Sequence, residues 1–119
     1  PYVYSQFITG KEHPHKFGRA RNSWLTGTAS WAFVAVSQHI LGVRAGYDGL
    51  VVDPCIPSSW EGFEATRVFR GATYRITVAN PRRVSRGVRG MRVDGREIAG
   101  NVVPIAPAGS TVAVEVALG

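Results

Sequence analysis

The amino-acid sequence predicts an α+β chain, a helical first part followed by a β-sandwich of jelly-roll type. Three observations predict it. The apolar period changes near residue 47, from helical spacing before it to alternation after it. Residues 28–41, TASWAFVAVSQHIL, hold no Gly or Pro and are apolar almost all the way round. Six or seven short alternating segments, each bounded by turn residues, then fill the remainder, as antiparallel sandwiches do.

Taken in order, residues 2–9 read as the end of an earlier helix, stopped at Gly10. KEHPHKFGRARN is polar and interrupted by Pro14 and Gly18, so it reads as an exposed loop. In 28–41, Ala29, Phe33, Val36 and Ile40 form one stripe at helical spacing, and Trp31, Val34 and Ala35 widen it. Gly42 follows as a C-terminal cap residue, with His39 where the helix dipole favours positive charge. A helix so apolar on both flanks is expected to be buried. Left wet, its surface would cost about 25 cal/mol per Å². Either it packs on the sandwich, or the chain is the tail of a larger protein that supplies the other helices. The second is favoured, because no helical partner follows.

Beyond residue 47 the expectations are strands. Residues 50–53 form a short one, ended by Pro54 and Pro57. Residues 63–69 and 72–79 flank Arg70-Gly71, a tight hairpin turn. Tyr74, Ile76 and Val78 share one face of the second strand, and Thr73, Arg75 and Thr77 the other. Asn80-Pro81 breaks it. Residues 89–93 and 96–98 flank Asp94-Gly95, a pair suited to positive φ. Val112, Val114, Val116 and Leu118 share a face of the last strand.

Composition excludes several classes. The 119 residues bound the chain to one modest domain or pieces of two. An apolar fraction of 45% is too high for a disordered chain. No apolar run reaches the roughly 18 residues that cross a bilayer, so no membrane association is expected. Cys55, the single cysteine, excludes an internal disulfide. The charge is +6, and Arg82, Arg83, Arg86, Arg89, Arg92 and Arg96 crowd one stretch. Such a patch can meet nucleic acid. This one has no aromatic residue for base stacking and alternates with Val and Met, so it reads as the basic solvent face of a sheet. No nucleic-acid partner is expected.

The sharpest local feature is NSWLTGT, residues 22–28, directly ahead of the apolar helix. The first N–H groups of a helix lack internal partners, and a Thr-Gly-Thr turn adds hydroxyls and close backbone approach, so Thr26 and Gly27 suit an anion such as phosphate. N-capping by Thr26 or Thr28 is the plainer alternative. Gln6, polar among aromatic residues, suits a hydrogen bond to a sugar, or else simply faces solvent. His13 and His15 lack a third metal ligand and read as loop residues. Ser5, Ser23 and Ser30 have no nucleophile-elbow context. Cys55 reads as a buried structural thiol. None of the carboxylates Glu12, Asp48, Asp53, Glu61, Glu64, Asp94, Glu97 and Glu115 stands out as a general acid.

Four motifs in order, NSWLTGTA, ILGxRxxYDGL, DPCIPxxWxGF and FRGxxYxIxVxNP, resemble the C-terminal end of glycoside hydrolase family 94, formerly classed with glycosyltransferase family 36. The family contains cellobiose and N,N'-diacetylchitobiose phosphorylases. The resemblance runs through most of the chain and loosens after Ile98. It implies that residues 1–47 end an (α/α)6 catalytic barrel and that 48–119 form a C-terminal jelly roll. It implies inverting phosphorolysis of a β-linked disaccharide, with inorganic phosphate as co-substrate and no other cofactor. By resemblance, Thr26 and Gly27 contact phosphate and Gln6 the sugar donated to it. The catalytic Asp and further phosphate ligands lie upstream, so the fragment alone is expected to be inactive. Homodimerisation and a cytoplasmic location are further implications. Rival readings are the phosphorylase-like domain of a cyclic β-1,2-glucan synthase, and a non-catalytic module binding carbohydrate through Trp60 or Tyr74.

Overall fold

In the computed structural model, which describes residues 3–119, the chain is mostly β-sheet with one short α-helix. Its elements are β1 (Ser5–Ile8), β2 (Ala20–Ser23), α1 (Thr28–Val34), a π-helical turn (Ala35–Ile40), β3 (Val43–Ala45), β4 (Gly49–Val52), β5 (Gly62–Phe69), β6 (Ala72–Ala79), β7 (Val88–Val93), β8 (Arg96–Ile98), β9 (Val102–Pro104) and β10 (Thr111–Leu118). They divide into two compact units, the first through Ala35 and the second from Val36 to Gly119. No helix among the described residues is long and apolar enough to cross a membrane.

The first unit corrects two expectations. The segment before Gly10 is a strand, not the end of a helix; Tyr2, where that expectation began, lies outside the described residues. The polar loop ends by pairing with it, as β2, and Thr9 closes the hairpin by exchanging bonds with Arg19 and Gly18. The apolar helix is α-helical only to Val34, and its side chains are not buried: Trp31 is 75% and Phe33 66% exposed. Beyond Val34 the helix widens, with the Leu41 N–H reaching back to the Val36 carbonyl. The end of that turn is held by β-type bonds instead. Cys55 N–H donates to Ile40 O and Asp53 N–H to Gly42 O, each at 2.9 Å. Gly42 has φ +69°, and a Cβ there would strike the Asp53 carbonyl, so this junction requires glycine.

Alternation builds the second unit. A five-stranded sheet runs in the order β5-β6-β10-β7-β8, and a three-stranded sheet in the order β3-β4-β9. Tyr74, Ile76 and Val78 of β6 lie beside Val112, Val114 and Val116 of β10, pair by pair, and all six are buried. Leu50, Val52 and Val103 from the smaller sheet join the same core, with Ile56, Met91 and Leu118. β6 and β10 are parallel; every other strand pair in that sheet is antiparallel. Both predicted hairpins form. Arg70-Gly71 (φ +50°, +82°) and Asp94-Gly95 (φ +48°, +77°) each place two successive residues in the left-handed region, the turn whose twist matches the flanking strands.

Two buried polar groups lock the loops. Asn80 donates to the carbonyls of Trp60 (3.1 Å) and Val84 (2.8 Å), and its Oδ1 accepts the Val84 N–H (3.0 Å). Tyr74 is fully buried; its hydroxyl donates to Pro104 O and accepts the Ala106 N–H. It therefore cannot serve as an exposed glycan platform. Strand periodicity had already put it beside Ile76. Replacing Asn80 by Ala would orphan a buried N–H and two carbonyls at roughly 1–3 kcal/mol for each buried group left unpaired. Urea denaturation of Asn80→Ala should show a stability loss of at least about 2 kcal/mol. A midpoint within error of the parent would contradict this role.

Candidate functional site

The first unit carries the residues singled out for ligand contact. In the β1–β2 hairpin Ser5 pairs with Ser23, Phe7 with Arg21 and Ile8 with Ala20. Gln6, exposed on β1, thus sits on the strand beside the one that leads into Thr26. The register brings the two predicted regions into one unit from twenty positions apart in sequence. Between β2 and α1 the chain turns sharply. Asn22 (φ +56°) and Trp24 (φ +72°) both occupy the left-handed region without being glycine. For a residue as bulky as Trp that costs on the order of 1–3 kcal/mol, a strain that tends to gather at ligand sites. Sequence reasoning missed this turn: Asn22 is a residue type that tolerates positive φ, but Trp24 is not, and no glycine marks the bend.

At the turn's end, Thr26 is half-buried and Gly27 is the N-cap of α1. No side chain caps the helix and its first turn carries no acidic residue. The capping alternative therefore takes another form. The Thr26 hydroxyl oxygen accepts the Thr28 N–H at 3.2 Å and lies 2.7 Å from the Thr28 hydroxyl. This local turn fixes the Thr26 rotamer and leaves two adjacent hydroxyl groups at an exposed backbone bend.

The remaining candidates fall elsewhere. His13 Nδ1 accepts the His15 N–H at 3.3 Å, an arrangement internal to the loop. Cys55 is exposed, contrary to expectation, because it alternates with buried Pro54 and Ile56. It borders a cavity of about 240 Å³ with Gln38, His39, Arg44, Asp53 and Arg86. There Asp53 accepts a hydrogen bond from Arg86 at 2.7 Å, with Arg44 at 3.7 Å. The Arg86 bond, with the charges of both arginines, holds the Asp53 carboxyl below its ordinary value against the opposing effect of burial. The six arginines of 82–96 are all exposed. Arg83 binds Glu61 and the Ser59 carbonyl, and Arg92 stands between Glu97 and Glu115 in the sheet register. Two of the six, Arg83 and Arg86, are thus ion-paired within the fold.

A β-rich chain with a strained, hydroxyl-bearing turn ahead of an exposed apolar helix has clear likenesses among known proteins. Residues 1–42 match the family described as "Glycosyl hydrolase 94 superfamily, catalytic domain". The chain is 54% identical over its whole length to an N,N'-diacetylchitobiose phosphorylase of Vibrio proteolyticus, of which it covers 15%. It is 52% identical over its whole length to an N,N'-diacetylchitobiose phosphorylase of Vibrio furnissii, covering 14%. A solabiose phosphorylase of Paenibacillus borealis is 43% identical over 98% of the chain, with 15% of the relative covered. The chain spans about one seventh of the length of these relatives.

The Asp53 cluster gives the second unit a pH signature. Because its carboxyl is held below the ordinary 3.8, its contribution to stability is complete above that value and is lost as pH falls through the lowered one. Asp53→Asn should flatten the acid limb of stability against pH in that window. An unchanged acid limb would contradict the pairing.

Proposed function

We propose that the chain is the C-terminal part of an inverting disaccharide phosphorylase. In this reading residues 1–47 close an (α/α)6 barrel, 48–119 form the jelly-roll domain, and an upstream Asp is the general acid. That Asp protonates the glycosidic oxygen while a phosphate oxygen attacks the anomeric carbon from the opposite face. The bond to the leaving sugar breaks, and the β-linked sugar emerges as an α-sugar 1-phosphate. Phosphate takes the position that activated water holds in an inverting hydrolase. The proposed enzyme is a cytoplasmic homodimer that needs no cofactor beyond its co-substrate. The Vibrio relatives make N,N'-diacetylchitobiose the first substrate to try.

The observation that carries the reading is the Thr26-Gly27-Thr28 turn. Thr26 is proposed to give its hydroxyl hydrogen to a phosphate oxygen while its lone pair holds the Thr28 N–H, and Gly27 to let phosphate approach the backbone. Gln6, on the neighbouring strand, is proposed to hydrogen-bond the sugar being transferred. The exposed apolar surface of Trp31 and Phe33 is what a helix of a larger helical domain would bury.

The test uses the complete polypeptide. Thr26→Val keeps the shape and removes a charge-assisted hydrogen bond of roughly 1.5–3 kcal/mol. The KM for phosphate should rise about ten- to hundred-fold, with the disaccharide KM little changed. Gln6→Ala should do the reverse, lowering kcat/KM for the disaccharide at saturating phosphate. An unchanged phosphate KM and turnover in Thr26→Val would remove Thr26 from the site.

A further inference from the structure

β5 is an outer strand of the five-stranded sheet, bonded to β6 along its whole length and to no other strand among the described residues. Such an open edge is normally short, or blunted by proline, charged side chains or an inward-pointing charge. This one has eight residues without Pro, and its charges are the exposed Glu64 and the inward-pointing Arg67, whose own charge is unmet among the described residues. Its side chains alternate, with Glu64, Thr66 and Val68 exposed and Phe63, Ala65, Arg67 and Phe69 partly covered. Arg67 is therefore on the core side, opposite the buried Tyr74 in the register. Its Nε is buried and has no acceptor among the described residues. A second guanidinium lies at the same end, where Arg70 stacks over the Phe69 ring at 5.3 Å and donates to the Tyr47 carbonyl at 3.2 Å. The ion pairs among the described residues engage Arg44, Arg83 and Arg86, not these two. Val68 (66% exposed) and Tyr47 (94% exposed) add apolar surface beside them.

An edge with open backbone groups, two unneutralised cations and one buried unpaired donor lacks a specific complement. We propose that an extended segment of the longer polypeptide, carrying an Asp or Glu, pairs along β5 as a sixth strand. Its carboxylate takes the Arg67 guanidinium. Directly opposite residues in a ladder stand about 5 Å apart at Cβ, within reach of a paired Arg and carboxylate. The strand satisfies the edge amides, and the carboxylate satisfies the buried Nε and offsets the local charge. The source is the same polypeptide because the matched relatives are about seven times the length of this chain. The inference thus rests on the fragment reading of the proposed function.

Hydrogen exchange with mass spectrometry on the complete protein tests it, reading peptides over 62–69. Pairing to β6 protects only alternate amides; a sixth strand protects the others as well. Protection across all of β5 is expected, with Arg67→Met releasing the edge amides by roughly tenfold or more. Unchanged protection of β6 and β10 in that variant shows that it has folded. Edge amides exchanging as in an unprotected chain would overturn the proposal. So would protection that Arg67→Met leaves intact, or protection that rises with protein concentration and so belongs to a second copy. Phosphorolysis by a protein with an open β5 edge would sink this inference alone. A protected edge without phosphorolysis would sink the functional reading alone.

Discussion

The second unit depends on one contact, the parallel pairing of β6 with β10. β10, last in sequence, enters between β6 and β7 and joins two hairpins that would otherwise be separate, β5–β6 and β7–β8. A lone two-stranded hairpin is marginal in water, and it becomes stable by sharing an apolar face with further strands. Of the seven register pairs from Thr111–Thr73 to Ala117–Ala79, the buried three, Val112–Tyr74, Val114–Ile76 and Val116–Val78, supply that face, and the smaller sheet contributes Leu50, Val52 and Val103 to the same core. Asn80 and Tyr74, at the end and near the start of β6, then tie the flanking loops to this centre.

The two units divide the packed core from the residues proposed to contact ligand. Every buried residue described belongs to the second unit, whereas the first holds Gln6, Thr26 and Gly27 and buries none of its described residues. Phe7, Ile8, Phe17, Trp24, Leu25, Trp31 and Phe33 are all exposed there. So much apolar surface on so few residues is hard to reconcile with a self-sufficient domain, and it accords with relatives far longer than this chain.

Local signals in the sequence carried furthest. The two hairpin turns were legible because Arg70-Gly71 and Asp94-Gly95 sit between alternating runs, and the core face of β6 and β10 followed from period two. The parallel pairing was not legible, since its partners lie some forty positions apart and either strand could take another neighbour. β3 and β9 are three residues each, too short to show a period. β1 was misread because its exposed residues lack alternation, and strand formation there follows from hairpin closure at Thr9. Of the site, the Thr-Gly-Thr turn was visible as residue types. The strain at Asn22 and Trp24, the pairing of their strand with that of Gln6, and the exposure of Cys55 arise only from the backbone path.

These residues are proposed to belong to an enzyme that cleaves a β-linked disaccharide with phosphate. The most direct measurement is NMR of the complete protein incubated with inorganic phosphate and a panel of β-linked disaccharides that begins with N,N'-diacetylchitobiose. An α-sugar 1-phosphate and a free sugar, in equal amounts, are expected from at least one of them. Free sugars without sugar phosphate, or no turnover across the panel by a folded protein, would contradict it.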